Sequence, residues 1–114
     1  MSTRALESIE AILAASADAD DALRAVAAVL ADEPGVVWAG IAFFEEGELL
    51  LGPEAGKPDE PRRIRVPVVY DGDDVAELWV DGIADRAFLE RVARLVSTHC
   101  LVGWDTGGVP WDAA

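Results

Sequence analysis

The chain has 114 residues, of which 52% are hydrophobic, and its 22 acidic and nine basic side chains give a formal net charge of −13. This length predicts one domain with one core, and the hydrophobic fraction argues against disorder as the main state. The acidic excess argues against a surface for nucleic acid or for an anionic membrane, because both are bound chiefly by clustered cations.

The single cysteine, Cys100, excludes an intrachain disulfide and a cysteine-based metal cluster. We expect no metal site and no cofactor. Glu7 and Glu10 lie where a signal peptide needs apolar residues, and no apolar run approaches the ~18 residues of a membrane span. These features predict a cytoplasmic protein.

The first third of the chain predicts two helices. Residues 4–15 carry apolar side chains three and four positions apart, which is one face of a helix: Leu6, Ile9 and Leu13. The three aspartates within residues 18–21 favour the start of a second helix, and Pro34 with Gly35 ends it.

Two strands are predicted next. Residues 36–44 are β-branched, aromatic and apolar on both faces, which is typical of a doubly buried central strand, and Trp38 is expected in the core. A turn leads to a second strand at residues 48–51. Residues 52–61 contain three prolines and two glycines, which predicts a loop.

A second hairpin is predicted from residues 63–70 and 75–81. Pairing Tyr70 with Asp74 keeps both faces consistent. One face then carries the apolar pairs Ile64–Val80, Val66–Leu78 and Val68–Ala76, and the other carries Arg63–Asp81, Arg65–Trp79 and Pro67–Glu77.

The last predicted helix begins after the capping residue Asp85 and ends at Gly103. Its apolar stripe includes Phe88, Val92 and Leu95. Residues 1–103 form the predicted domain, and residues 104–114 form a tail. Trp104 and Trp111 in this tail are candidate interface residues, which cover either their own subunit or a neighbour.

This order of elements resembles a trimmed GAF domain. Residues 37–44 are similar to the first strand of that family, and residues 49–58 resemble the second strand and loop of its free methionine-(R)-sulfoxide reductase branch. Residues 64–69 and 75–81 are similar to the closing hairpin. The resemblance covers about residues 20–99.

The resemblance implies an α+β fold with a four-stranded antiparallel sheet of order 2-1-4-3 and the terminal helices mainly on one face. The opposite face would lack cover and would carry Arg63, Arg65, Glu77, Trp79 and Asp81. In the reductase branch the crossover before the closing hairpin carries the reactive cysteines. Here the crossover is about ten residues long and contains no cysteine.

A basic island is the strongest candidate site. Four of the nine cations fall within nine residues, at Lys57, Arg62, Arg63 and Arg65. Beside Trp79, this group could bind a small anionic or aromatic ligand by bidentate contacts and stacking. Alternatively, Arg63 pairs with Asp81 and Arg65 packs on Trp79 as ordinary cross-strand pairs. Such pairs are common, which favours the second interpretation.

Weaker candidates carry no predicted chemistry. His99 and Cys100 are adjacent on a helix and point about 100° apart, so they do not form a dyad. The acidic turn at residues 71–74 lacks the ligand count of a calcium loop. Ser97 lies on no nucleophile elbow. We therefore expect no catalytic residue.

The sequence predicts a non-catalytic GAF-like module, a homodimer that acts in protein interaction or in sensing a small ligand. Two alternatives stay open. One is an enzyme remotely related to the methionine sulfoxide reductases that uses Cys100 alone. The other is a structural domain that docks on a protein partner through its tail.

Overall fold

A computed structural model describes residues 3–15 and 18–100. Three helices and four strands follow one another, with one short 3-10 helix in the crossover. Their bounds are α1 Thr3–Ala15, α2 Ala19–Ala31, β1 Val36–Glu45, β2 Glu48–Gly56, the 3-10 helix Glu60–Arg62, β3 Arg63–Tyr70, β4 Asp73–Gly82 and α3 Arg86–Cys100.

Aspartates begin two of the helices, as the sequence predicts. The Asp18 carboxylate accepts a hydrogen bond of 2.9 Å from the Asp20 backbone N–H at the start of α2. The Asp85 carboxylate accepts one of 3.0 Å from the Ala87 N–H at the start of α3. Each cap satisfies a donor that has no partner within its helix, and its negative charge faces the positive end of the helix dipole.

The four strands form one antiparallel sheet in the order β2-β1-β4-β3, which confirms the predicted fold. The helices α2 and α3 pack on one face of the sheet, and α1 packs against both of them. The core lies between these layers. Its fully buried members include Ile9, Leu23, Leu30, Ile41, Leu78 and Leu89.

The register of the β3–β4 hairpin is confirmed for six pairs, from Arg63–Asp81 to Val68–Ala76. The predicted pairing of Tyr70 with Asp74 is wrong, because Tyr70 pairs with Asp73. Asp71 and Gly72 both have positive φ, at 52° and 86°, as a tight two-residue hairpin turn requires. This turn fixes Tyr70 opposite Asp73, and a bulge after Val68 absorbs the mismatch.

The second strand is longer than predicted. β2 continues through the expected loop to Gly56, where it pairs with Trp38. Pro53 is tolerated because β2 is an edge strand. A register shift opposite Gly40 and Ala42 keeps the two strands paired. The crossover to β3 is therefore confined to residues 57–62.

Some expectations concern the ends of the chain. Gly103, Trp104, Trp111 and the predicted boundary between domain and tail lie outside the described residues. Within residues 3–15 and 18–100, no helix is both long and apolar enough to cross a membrane. The cytoplasmic location stays a prediction.

A substitution at Gly56 tests whether β2 extends to this residue and lies close to β1 there. Gly56 has a φ of 96°, and a Cβ there would overlap the Val37 carbonyl oxygen. Gly56→Ala should lower the free energy of unfolding by about 3 kcal/mol, from left-handed strain and overpacking combined. Gly47→Ala is the control, because Gly47 has a φ of 84° but no atom within 4 Å of that position. It should cost about 1 kcal/mol. Urea denaturation measures both, and equal losses would contradict the close approach at Gly56.

Candidate functional site

The face of the sheet that points away from the helices is here called the open face. The registers place side chains from all four strands on it, because alternate residues of a strand point to the same side. These residues are Trp38, Gly40 and Ala42 of β1, Leu51 and Glu54 of β2, Arg63 and Arg65 of β3, and Glu77, Trp79 and Asp81 of β4.

Arg63 is the first residue of the edge strand β3, and its guanidinium reaches across β4 to Trp38 of β1. Its Nε is 2.8 Å from Asp81 Oδ1 and its Nη2 is 2.9 Å from Asp81 Oδ2, so the pair is bidentate. The guanidinium carbon is 4.5 Å from the centroid of the Trp38 ring and 5.1 Å from that of Trp79. Only 17% of the side chain is exposed. Two indoles and a carboxylate thus hold the cation in one position.

Asp81 is the only charged residue that is fully buried among the described residues, with 0% exposure. Its Oδ2 also accepts a hydrogen bond of 2.7 Å from the Asp59 backbone N–H, which attaches the crossover to the sheet. Burial alone would raise the pKa of Asp81, but the hydrogen bonds from Arg63 and Asp59 outweigh it and lower that pKa. The hydrogen bond that Arg63 donates to Asp81 in turn raises the pKa of Arg63.

Arg65 makes a second, more exposed pair on the same face. Its Nε and Nη2 lie 2.6 Å from Glu77 Oε1, which also accepts a hydrogen bond of 2.9 Å from Trp79 Nε1. The Arg65 guanidinium lies 5.0 Å from the Trp79 ring centroid, and 52% of its side chain is exposed. Burial tends to raise the pKa of Glu77, but the hydrogen bonds from Arg65 and Trp79 lower it.

Trp38 is buried, as expected, but not among the helices. It lies on the open face opposite Asp81, while Ala39, Ile41 and Phe43 point into the helix-side core. Its Nε1 donates a hydrogen bond of 3.1 Å to Glu54 Oε1. Its ring covers Gly40, where a Cβ would lie 2.6 Å from the ring. The sequence analysis missed Trp38 and Glu54 as site residues, because β1 is apolar on both faces and strand alternation alone does not assign Trp38 to one of them.

In the basic island, the three arginines form ion pairs with carboxylates of the described residues, and Lys57 does not. Arg63 and Arg65 meet Trp79, and the cross-strand pairing weighed as the alternative to a ligand site is confirmed. Arg62 pairs with Asp59 at 2.8 Å. Lys57 donates its backbone N–H to the Val37 carbonyl at 2.9 Å, and no carboxylate within residues 3–15 and 18–100 pairs with its side chain. An anionic ligand would therefore compete with Asp81 and Glu77.

Cys100 lies in the helix-side core with 2% exposure. Burial raises the pKa of its thiol to about 12. The His99 ring has Thr98 Oγ1 as a neighbour, with 3.4 Å between Oγ1 and Nδ1. In the part of the chain that the structure describes, no three His, Cys, Asp or Glu side chains form a group that could hold a metal ion, and this includes the turn at residues 71–74.

Comparisons with known proteins identify the fold. No family model matches the sequence, and no curated protein matches it. Solved structures do match. The type II free methionine-R-sulfoxide reductase of Thermoplasma acidophilum has a TM-score of 0.67 at 19% identity, over 75% of this chain and 94% of that chain.

Two further solved structures are similar to this chain to the same degree. The free methionine-R-sulfoxide reductase of Neisseria meningitidis, in complex with its substrate, has a TM-score of 0.69 at 19% identity, over 89% of this chain and 92% of that chain. The GAF domain of an Acinetobacter phosphoenolpyruvate-protein phosphotransferase has a TM-score of 0.69 at 15% identity, over 96% of this chain and 100% of that chain. At these identities the likeness shows a GAF-domain fold.

The stabilising effect of Asp81 should depend on pH. Because its pKa is lower in the folded chain than in the unfolded chain, its contribution is complete above the unfolded pKa of about 4 and is lost as the pH falls through the folded pKa. Asp81→Asn should lower the free energy of unfolding by about 3 kcal/mol at pH 7, because Arg63 loses its partner. This difference from the natural chain should shrink below about pH 4.

Glu77→Gln serves as the matched control for Asp81→Asn. Glu77 accepts its bonds from the exposed Arg65, so the change should cost about 1 kcal/mol or less. Denaturant unfolding from pH 7 to pH 3 measures both variants. A loss at Asp81 no larger than that at Glu77 would contradict the account of the buried pair.

Cys100 should react slowly with thiol reagents. With a pKa of about 12, on the order of one thiol in 10⁵ is ionised at pH 7, and the thiolate is the reactive form. N-ethylmaleimide should modify the native chain far more slowly than the urea-unfolded chain, followed by mass spectrometry. Equal rates would show that the thiol is accessible and would reopen a role for it in chemistry.

Proposed function

We propose that this chain is a non-catalytic GAF-like binding module, and that its recognition surface is the open face, which pairs with the same face of a second copy. The observation that carries the proposal is the fixed Arg63, held by Asp81 and enclosed by Trp38 and Trp79. A surface whose long side chains already have one conformation loses little side-chain entropy on binding.

The state of the thiol supports the non-catalytic part of the proposal. Nucleophilic chemistry needs an accessible thiolate beside a base or in an electropositive setting. Cys100 is buried in the apolar core, and burial raises the pKa of its thiol to about 12. The single thiol is thus poorly suited to the reductase-like alternative.

The shape of the open face supports a protein partner. Trp38 and Ala42 have no exposure, so the protein's own side chains fill the space above the central strand. Beyond them, Phe44 and Leu51 remain 38% and 41% exposed. Tryptophan, arginine and exposed apolar side chains in one flat region are typical of the centre of a protein interface.

Charge supports a second copy of the chain as that partner. With a net charge of −13, two copies repel each other over most of their surfaces. On the open face, the cations Arg63 and Arg65 have their own carboxylate partners, Asp81 and Glu77. Two such faces can therefore meet with little like-charge repulsion.

The area of the face is adequate for this association. Four strands about 4.8 Å apart and about eight residues long give a face of roughly 500 Å². Two copies would bury about 1,000 Å² in total, which is the lower limit of a specific interface. A two-fold arrangement is the commonest closed form for identical subunits.

A second candidate function is sensing of a small anionic or aromatic ligand at Arg63, Arg65, Trp79 and Lys57. One observation favours it: the Arg65 side chain remains 52% exposed while its guanidinium lies over Trp79. Native mass spectrometry on gently purified protein separates the two functions. A monomer that carries an additional small mass supports the ligand, and a dimer without one supports the interface.

Two neighbouring leucines of β2 provide a matched test of the interface. Leu51 lies on the open face beside Gly40, and Leu50 pairs with Phe43, whose side chain points into the helix-side core. Their exposures are 41% and 42%. Leu51→Glu should weaken self-association at least about tenfold, since about 1.4 kcal/mol has that effect and a buried unpaired charge costs more. Leu50→Glu should leave self-association unchanged.

Sedimentation velocity over a range of concentrations measures the association of the natural chain and of both variants. A natural chain that stays monomeric, or an equal loss of association in both variants, would contradict the open face as the interface. Circular dichroism of each variant confirms that the fold is retained.

A further inference from the structure

The open face consists of rows of residues that run across the sheet. Residues that pair in the registers of neighbouring strands form these rows, and three rows lie on this face. From β2 through β1 and β4 to β3, the rows are Leu51–Ala42–Glu77–Pro67, Glu54–Gly40–Trp79–Arg65 and Gly56–Trp38–Asp81–Arg63. The midline of the face therefore runs along the strands, between β1 and β4.

The middle row carries opposite charges at its two ends. Glu54, on the edge strand β2, is exposed, and its Oε1 accepts a hydrogen bond of 3.1 Å from Trp38 Nε1. No cation within residues 3–15 and 18–100 forms an ion pair with this carboxylate. Arg65, on the edge strand β3, has 52% of its side chain exposed. The width of the sheet, about 14 Å, separates Glu54 from Arg65, so their charges do not pair within one chain.

The positions of these charges distinguish two ways of placing one open face on another. A two-fold axis along the midline sets each end of a row over the opposite end of the same row in the second copy. Glu54 then faces Arg65 of the second copy, and Leu51 faces Pro67. An axis across the strands, through the middle row, would instead set Glu54 over Glu54 and Arg65 over Arg65. Because unlike charges attract and like charges repel, the axis along the midline is favoured.

We propose that the two copies are related by the axis along the midline, and that Glu54 and Arg65 of opposite copies determine this orientation. The inference rests on the proposed function, association through the open face, and names the residues that meet there. Sheets packed with nearly aligned strands lie about 10 Å apart, a gap that a glutamate and an arginine bridge together. The Arg65 guanidinium has N–H donors beyond those on Glu77, so it can bond to a second carboxylate. Leu51 and Pro67, both exposed, add an apolar contact beside each ion pair.

Two charge-reversal variants test the orientation together. Glu54→Lys sets the introduced lysine over Arg65, and Arg65→Glu sets the introduced glutamate over Glu54, so each homodimer contains repulsive contacts. Each variant should self-associate at least about tenfold more weakly than the natural chain. An equimolar mixture should regain most of the natural affinity, because both contacts in the mixed dimer join unlike charges. Sedimentation velocity, with one variant fluorescently labelled, measures the separate and the mixed associations.

Two variants on the helices are the matched controls. Glu10→Lys on α1 and Arg91→Glu on α3 replace exposed residues and change the net charge by the same amounts. Each alone, and the mixture of the two, should associate about as strongly as the natural chain. A gain on mixing that is equally large for these controls would overturn the proposal, because it would arise from net charge alone.

A second measurement uses the natural chain, so it decides the orientation even where a variant loses its fold. In a mixture of ¹³C-labelled and unlabelled chains, an isotope-filtered NOE should join the Leu51 methyl groups to Pro67 of the second copy. Within one chain these two residues lie about 14 Å apart, too far for this NOE.

The outcomes separate this inference from the proposed function. A natural chain that stays monomeric overturns both. A dimer that Leu51→Glu weakens but that lacks the NOE overturns the orientation and leaves the open face as the interface. The same holds if circular dichroism shows that Glu54→Lys and Arg65→Glu are folded and their mixture associates no more strongly than each alone.

Discussion

The bidentate bond between Arg63 and Asp81 is the contact on which the open face depends. It links β3 to β4, it brings the cation between the indoles of Trp38 and Trp79, and it shares its carboxylate with the backbone N–H of Asp59 in the crossover. A buried carboxylate is unfavourable without such partners, because its charge is removed from water. Arg63 and the backbone N–H of Asp59 provide these partners for Asp81. The short crossover thus has a defined path even though it contains only one turn of 3-10 helix.

The same constraint explains why the two faces of the sheet differ in composition. The helix side has an ordinary apolar core, which contains the single cysteine and raises the pKa of its thiol. The open side is a layer of paired charges and aromatic rings, which keeps the central strand out of water without a second set of helices. Both arginines in this layer are paired with carboxylates, so the pairs add no net charge to a chain whose total is −13. The proposed association of two copies rests on this pairing.

Strand alternation was informative only where the two faces of a strand differ. It predicted the β3–β4 register and brought Arg63, Arg65 and Trp79 together, because that hairpin is apolar on one side and charged on the other. It could not place Trp38, since β1 is apolar on both sides and its composition is compatible with either face. The bulge after Val68 and the full length of β2 were also missed, because turn geometry and the tolerance of an edge strand for Pro53 depend on neighbouring strands.

The central claim is that Arg63 is fixed within the open face, and the exchange of its Nε–H with water tests this most directly. ¹⁵N NMR at pH 7 can compare it with the Nε–H of Arg65, whose side chain is 52% exposed against 17% for Arg63. The account predicts that the Arg63 proton exchanges much more slowly, because the bond to buried Asp81 and the two indoles must open first. Equal exchange at both arginines would show that the Arg63 side chain is mobile and would contradict the account.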